Sequence, residues 1–236
     1  MLKRFTKYCM LLSLAVPAFA GSVLFYGGDF DPNNPNANAL ANETDAIVGG
    51  IPTGSSTYQA FVVGAGGWNV TGLFSNDLTA LTVNSAYWEI RSGVSEGNGG
   101  TLLFSGTDLT PTVTATGRAG FGFNEFTVEV DGLSFFLAPG TYWMTVTPQD
   151  PTDPNRSFNS NTFGINSIGT VPQDVQFWNS SFFGVSFNNA NNGGVFPAFS
   201  DGVIGTAAAT PEPGSISLAL MGAAALFFVR RKRRSA

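Results

Sequence analysis

Histidine is absent from all 236 residues. That excludes His-based catalytic triads, histidine metal ligands and an imidazole proton shuttle. Cysteine occurs once, as Cys9, so no disulfide frames the chain. Lysine is missing between residues 21 and 210. Without cysteine or lysine there, thiol nucleophiles, Ser-Lys dyads and Schiff bases are excluded as well. No Gly-rich phosphate loop sits at a strand-to-helix junction, because Gly97-Asn98-Gly99-Gly100 reads as a loop between strands. Positive charge is scarce too. Eight of the eleven basic residues lie in the two ends, which leaves Arg91, Arg118 and Arg156 against fifteen acids between residues 21 and 210, a net charge of −12. Such a domain repels phosphate backbones, so nucleic acid is excluded as a partner. The same excess favours solubility and leaves cation binding open.

What is present begins with two unlike ends. Lys3, Arg4 and Lys7 precede a short apolar run from Tyr8 to Val16, then Pro17 and Ala18-Phe19-Ala20. This is the order of a secretory signal peptide over residues 1–20, with Ala18 and Ala20 as the small residues of the cleavage site and Gly21 as the mature start. Cys9 leaves with it. At the other end, Thr210-Pro211-Glu212-Pro213-Gly214 is stiff and polar, Ser215 to Val229 is almost wholly apolar, and Arg230, Arg231, Lys232, Arg233 and Arg234 follow at once. The apolar piece predicts one C-terminal transmembrane helix with its basic cluster on the cytoplasmic side. It is short for a permanent span, which takes about 20 residues, and so suits a transient anchor at the inner membrane.

Pro211-Glu212-Pro213, an apolar helix and a terminal Arg/Lys cluster resemble the PEP-CTERM sorting signal. The resemblance covers residues 211–236. It implies a Gram-negative bacterium, processing by an exosortase, and a cell-surface or extracellular role linked to exopolysaccharide or biofilm matrix.

Between the ends, short apolar runs alternate with Gly/Asn/Pro clusters about every ten residues, the pattern of an all-β sandwich or barrel. Ala86, Trp88 and Ile90 share one face against Tyr87, Glu89 and Arg91, and Phe126, Val128 and Val130 oppose Thr127, Glu129 and Asp131. Tyr142, Met144 and Val146 likewise oppose Thr141, Trp143, Thr145 and Thr147. Each pattern predicts one buried and one wetted face of an antiparallel sheet. Pro139-Gly140 reads as the centre of a type II turn. Residues 21–200 are therefore expected to form a β-sandwich ectodomain, and 201–210, thinning into small residues, a linker to the sorting signal. Trp88-Glu89-Ile90-Arg91 with Gly100 to Gly106, and Leu137 to Trp143, resemble segments of the sandwich domains that often precede PEP-CTERM tails. That likeness implies a jelly-roll-like antiparallel sandwich and names no ligand.

Three chemistries remain open. Asp29-Phe30-Asp31-Pro32-Asn33-Asn34 alternates oxygen ligands, which suits a loose Ca²⁺ loop through Asp29, Asp31 and Asn33, or a simple Asx/Pro turn. It is not an EF-hand, since Asn34 and Leu40 stand where Gly and the closing Glu belong. Tyr87, Trp143 and Trp178 become stacking platforms for a glycan if their faces point outward, and core residues otherwise. Glu89, Glu96, Glu125, Glu129 and Asp131 are numerous enough for a two-carboxylate glycosidase, although a solvated sheet face is the simpler explanation. The expectation is a non-enzymatic, exported protein for adhesion or polysaccharide binding, with no cofactor beyond Ca²⁺. The alternatives are a matrix component assembled through Ca²⁺ bridges and, last, a glycosidase.

Overall fold

Period-two patterning and positive-φ glycines produce strands and tight turns throughout the computed structural model, which describes residues 21–48, 51–190 and 198–208. Among these residues there is no helix. The strands in chain order are β1 (Ser22–Tyr26), β2 (Ala39–Ala41), β3 (Glu43–Val48), β4 (Ile51–Val63), β5 (Trp68–Thr79), β6 (Ser85–Ser92), β7 (Thr101–Asp108) and β8 (Thr112–Gly120). They continue with β9 (Phe123–Val130), β10 (Phe135–Leu137), β11 (Gly140–Gln149), β12 (Ser157–Thr162), β13 (Phe177–Ser180), β14 (Val185–Asn189), β15 (Ala198–Phe199) and β16 (Asp201–Ala207). The expected signal peptide and the C-terminal transmembrane helix lie outside the described residues.

Two sheets result, antiparallel apart from one parallel bridge between Thr44 and Gln149. In the nine-stranded sheet β5 is central. One of its edges pairs with β10 and β9, the other with β16 and β12. Beyond these, β1 lies on β16, β8 on β9, and β2 and β15 on β12. The seven-stranded sheet runs β14-β13-β4-β3-β11-β6-β7, with β4 also pairing β11.

Between the sheets, Phe25, Phe61, Leu73, Ile90, Val128, Met144 and Val146 are fully buried. Each such side chain contributes about 1.5–3 kcal/mol by leaving water. Trp88 packs on this core and stacks on Phe135 at 5.9 Å, the face expected for it. Along β5 the inward row then turns polar, because Ser75 and Asp77 follow Leu73 on the same face, opposite Val128 and Phe126. Asn42 ties the sheets together there, donating from Nδ2 to Asp77 Oδ1 at 2.8 Å and to the Val146 carbonyl at 2.9 Å. Burial pushes the Asp77 carboxyl up to about 7; hydrogen bonds from Ser75 and Asn42 oppose that rise, and the nearby Glu125 and Glu43 add to it. Asp201, also buried, is raised well above the ordinary carboxylate range, chiefly by desolvation.

Three expectations need correction. Thr145 and Thr147 are fully buried and Trp143 is 7% exposed, so the outer face of β11 is not wetted. A second apolar layer covers it: Phe187 and Val94 pack with Tyr58, Trp143 and Phe177 on that side. Gly140 is not in the left-handed region; it is the first residue of β11 and pairs with Val63, and the chain turns at Ala138-Pro139 instead. Most of the segment expected as a linker is strand β16, held between β1 and β5. Its small residues reflect close packing. A Cβ on Gly202 would stand 2.1 Å from the Phe74 ring, and one on Gly205 would stand 2.2 Å from the Asn69 carbonyl oxygen.

Candidate functional site

The outward row of the nine-stranded sheet carries Phe74, Asn76 and Leu78 of β5, opposite Glu129, Thr127 and Glu125 of β9. Phe158 of β12 faces Leu78 from the other edge. The hairpin joining β8 to β9 turns through only two residues, Phe121 and Gly122, both at positive φ (54° and 86°). Such a turn is ordinarily filled by Asn-Gly, because a bulky side chain is strained there. Here the first position holds a phenylalanine that is 61% exposed. Its ring lies 6.1 Å from Phe30, and Phe30 fits only because Gly120 lacks a Cβ, which would stand 2.6 Å from that ring.

From this tip an aromatic band crosses to the other sheet. Phe123 and Phe158 are 5.5 Å apart. The Arg156 guanidinium lies 5.5 Å from the Phe158 ring centre and 5.7 Å from that of Phe182. Phe182 meets Phe183 edge-on at 4.7 Å, and Phe183 meets Trp178 at 5.2 Å. Phe183 is 51% exposed. The band is anchored from beneath. Arg156 pairs with the buried Glu43, whose other oxygen accepts the Ser157 amide at 2.8 Å. Ser181 N–H donates to the Gly54 carbonyl at 2.8 Å, which fixes the loop that presents Phe182 and Phe183. Exposed rings flanked by amides and one delocalised cation can stack on the apolar faces of sugar rings.

The predicted platform residues do not come together. Trp178 belongs to the band, half-buried, with its indole N–H donated to the Ala41 carbonyl at 3.0 Å. Trp143 is buried and donates to the Val175 carbonyl at 2.7 Å, so its ring face is unavailable. Tyr87 is half-buried beside Glu89, at 3.4 Å. Glu89 itself is buried and takes a hydrogen bond from Tyr58 and an ion pair from Arg91 at 2.9 Å. Sequence pattern missed Phe121, Phe182 and Phe183. The readable signal was an aromatic beside Gly122 and a Phe-Phe pair before Gly184, both at turns.

A second concavity, about 430 Å³, lies beside Tyr26, Asp29, Phe74, Asn76, Arg118 and Glu129. The polar groups around Asp29 already satisfy one another. Tyr26 Oη donates to Asp29 Oδ1 at 2.7 Å, Arg118 Nη1 to the same atom at 2.8 Å, and Asn166 Nδ2 to Asp29 Oδ2 at 2.7 Å. Burial would raise the Asp29 carboxyl, but these hydrogen bonds and the Arg118 charge outweigh it and hold it below its ordinary value. Asp31 accepts the Asn33 amide at 2.9 Å, an Asx turn. Asp29 and Asp31 thus have different tasks, and among the described residues no three acidic side chains are grouped to hold a metal. Glu129, the half-buried wall of this concavity, is raised by desolvation and then by Asp131. Glu125 lies beneath Thr116, Ser160 and Arg118, all of which donate to it.

Ala18, Ala20, the Pro211-Glu212-Pro213 motif and the cluster from Arg230 to Arg234 lie outside the described residues. For the tail the family comparison is decisive: the PEP-CTERM protein-sorting motif matches residues 209–234. That motif implies an exosortase-sorted protein delivered to the cell surface or beyond. No curated protein and no solved structure matches the chain.

Proposed function

We propose that this exosortase-sorted extracellular protein is a non-enzymatic, polysaccharide-binding component of a bacterial matrix, with the aromatic band as its binding face. Residues 1–20 direct export and are removed after Ala20. The tail is cut near Pro211-Glu212-Pro213 once the apolar segment and Arg230–Arg234 have held it at the inner membrane. The ectodomain keeps a jelly-roll-like likeness, supported by its two packed sheets. The observation that carries the binding role is Phe121, exposed at a hairpin tip at φ 54°. Backbone strain of about 1–3 kcal/mol persists only where the surrounding structure over-determines it, and such positions cluster at ligand-binding sites. The ring meets Phe30 at 6.1 Å yet stays 61% exposed, and a glycan partner would use that exposed area.

The test is a glycan panel probed with the form released from cells. Binding to neutral polysaccharide should weaken at least tenfold in Trp178→Ala and Phe183→Ala, while Trp143→Phe binds like the parent. Equal binding by all variants would remove the band from the account.

One observation favours a second reading, self-assembly. Among the described residues β7 pairs only with β6, and it presents Leu102 and Leu103, 45% and 39% exposed, at a sheet edge. An uncovered edge strand is a template for another strand. Concentration-dependent mass that disappears in Leu103→Lys without loss of glycan binding would support assembly in addition to binding.

A further inference from the structure

Resting on the glycan reading, the structure assigns a ligand class: we infer that the band recognises a neutral, acetylated sugar polymer, with one acetyl group seated in the pocket beside Phe121. That pocket, about 160 Å³, is lined by Asn38, Ala39, Leu78, Phe121, Phe123 and Phe158. Its walls are apolar except for one side-chain amide. A bare hydroxyl desolvated there without a partner is disfavoured. A methyl group meets no such penalty.

The single amide is pre-oriented. Asn38 Oδ1 accepts the Ala39 N–H at 2.8 Å, so Nδ2 is the atom left to donate outward. An acetyl group matches this arrangement: its carbonyl accepts from Asn38 Nδ2 while its methyl lies among Phe121, Phe123 and Phe158. The sugar ring carrying it then continues along the band, where Phe158, Arg156 and Phe182 are in file.

Charge narrows the class further. The −12 excess between residues 21 and 210 repels uronate-, sulfate- or phosphate-bearing polymers. A free amino sugar would be attracted at long range, but no carboxylate lines the pocket to pair with its ammonium, and an unpaired charge is not buried. Neutral acetylated sugar satisfies both conditions.

The experiment is calorimetric titration of the released protein with hexamers of β-1,4- and β-1,6-linked N-acetylglucosamine, their chemically deacetylated counterparts, and β-1,4-linked glucose, each in 0.15 M and 0.5 M salt. An acetylated hexamer should bind at least tenfold tighter than its deacetylated form and than the glucose hexamer in 0.5 M salt. Asn38→Ala should lower affinity for the acetylated hexamer three- to tenfold and leave weak glucose-hexamer binding unchanged. Equal affinity for glucose and acetylated hexamers would overturn the acetyl assignment while the glycan reading stands. A preference for deacetylated sugar that vanishes in 0.5 M salt would reduce the interaction to charge and overturn the assignment. Binding of none of the five would overturn the glycan reading itself.

Discussion

Replacing Asp77 by Asn should make the protein more stable at pH 8 and leave it nearly unchanged at pH 4. Asp77 is fully buried and faces the polar half of the core, where Asn42 donates to Oδ1 and Ser75 to Oδ2 at 2.5 Å. Its carboxyl moves from the ordinary 3.8 up to about 7 because burial disfavours the charged form. A raised acid is held protonated by the fold. Its contribution is complete below about pH 4 and is lost as pH climbs through 7. At about 1.4 kcal/mol per unit, the full effect is roughly 4 kcal/mol, an upper bound for what Asn recovers. Asn keeps the Asn42 contact, and Ser75 can turn to accept from the new amide, so no polar atom is stranded. Urea unfolding of both proteins at pH 4, 5, 6, 7 and 8 provides the assay. The gap between them should open steadily from pH 4 to pH 7 and flatten beyond. A gap that is constant with pH, or an Asn variant less stable throughout, would refute the assignment of Asp77 as a buried acid kept neutral by its surroundings.

Three further outcomes follow from the packing. Gly205→Ala should destabilise by about 1–3 kcal/mol, since its Cβ would meet the Asn69 carbonyl at 2.2 Å; an unchanged urea midpoint would show that β16 is not seated against β5 as described. Phe121→Asn should hold or gain up to about 1 kcal/mol of stability, because Asn tolerates positive φ, and should lose glycan binding; a large loss of stability would make Phe121 a packing residue instead. Millimolar Ca²⁺ should raise the melting temperature no more than monovalent salt of equal ionic strength, because the oxygens of Asp29 already accept from Tyr26, Arg118 and Asn166; a Ca²⁺-specific rise lost in Asp29→Asn would restore the loop as a cation site.

Alternation was a sound guide to the residues that face the space between the sheets, although the opposite face of β6 is not wetted throughout, since Glu89 is buried. Ala86, Trp88 and Ile90 point inward as their spacing implies, and so do Val128 and Val130. It failed where both faces are covered. Thr145 and Thr147 are small and polar, yet they are buried, bonding to each other at 2.9 Å and to Ser56 at 3.0 Å. A hydroxyl satisfied by a neighbouring hydroxyl leaves no trace in hydropathy. Trp143 misled for the same reason, since its threonine neighbours imitate a wet face. β16 was illegible because glycine signals both flexibility and close approach, and only the positions of Phe74 and Asn69 decide between them. In the band, Phe182 and Phe183 flank a turn rather than a periodic run, and Arg156 connects rings from both sheets. The sorting tail was readable because its function depends on local order along the chain, not on contacts made by folding.

The most direct measurement is co-sedimentation of the released protein with extracellular polysaccharide stripped from the cells that make it. The parent protein should pellet with the polysaccharide in 0.5 M salt, and a Phe121→Ala, Phe183→Ala double variant with an unchanged circular dichroism spectrum should remain in the supernatant. A double variant that pellets as fully as the parent, or a parent that stays in solution, would contradict the aromatic band as the polysaccharide-binding face.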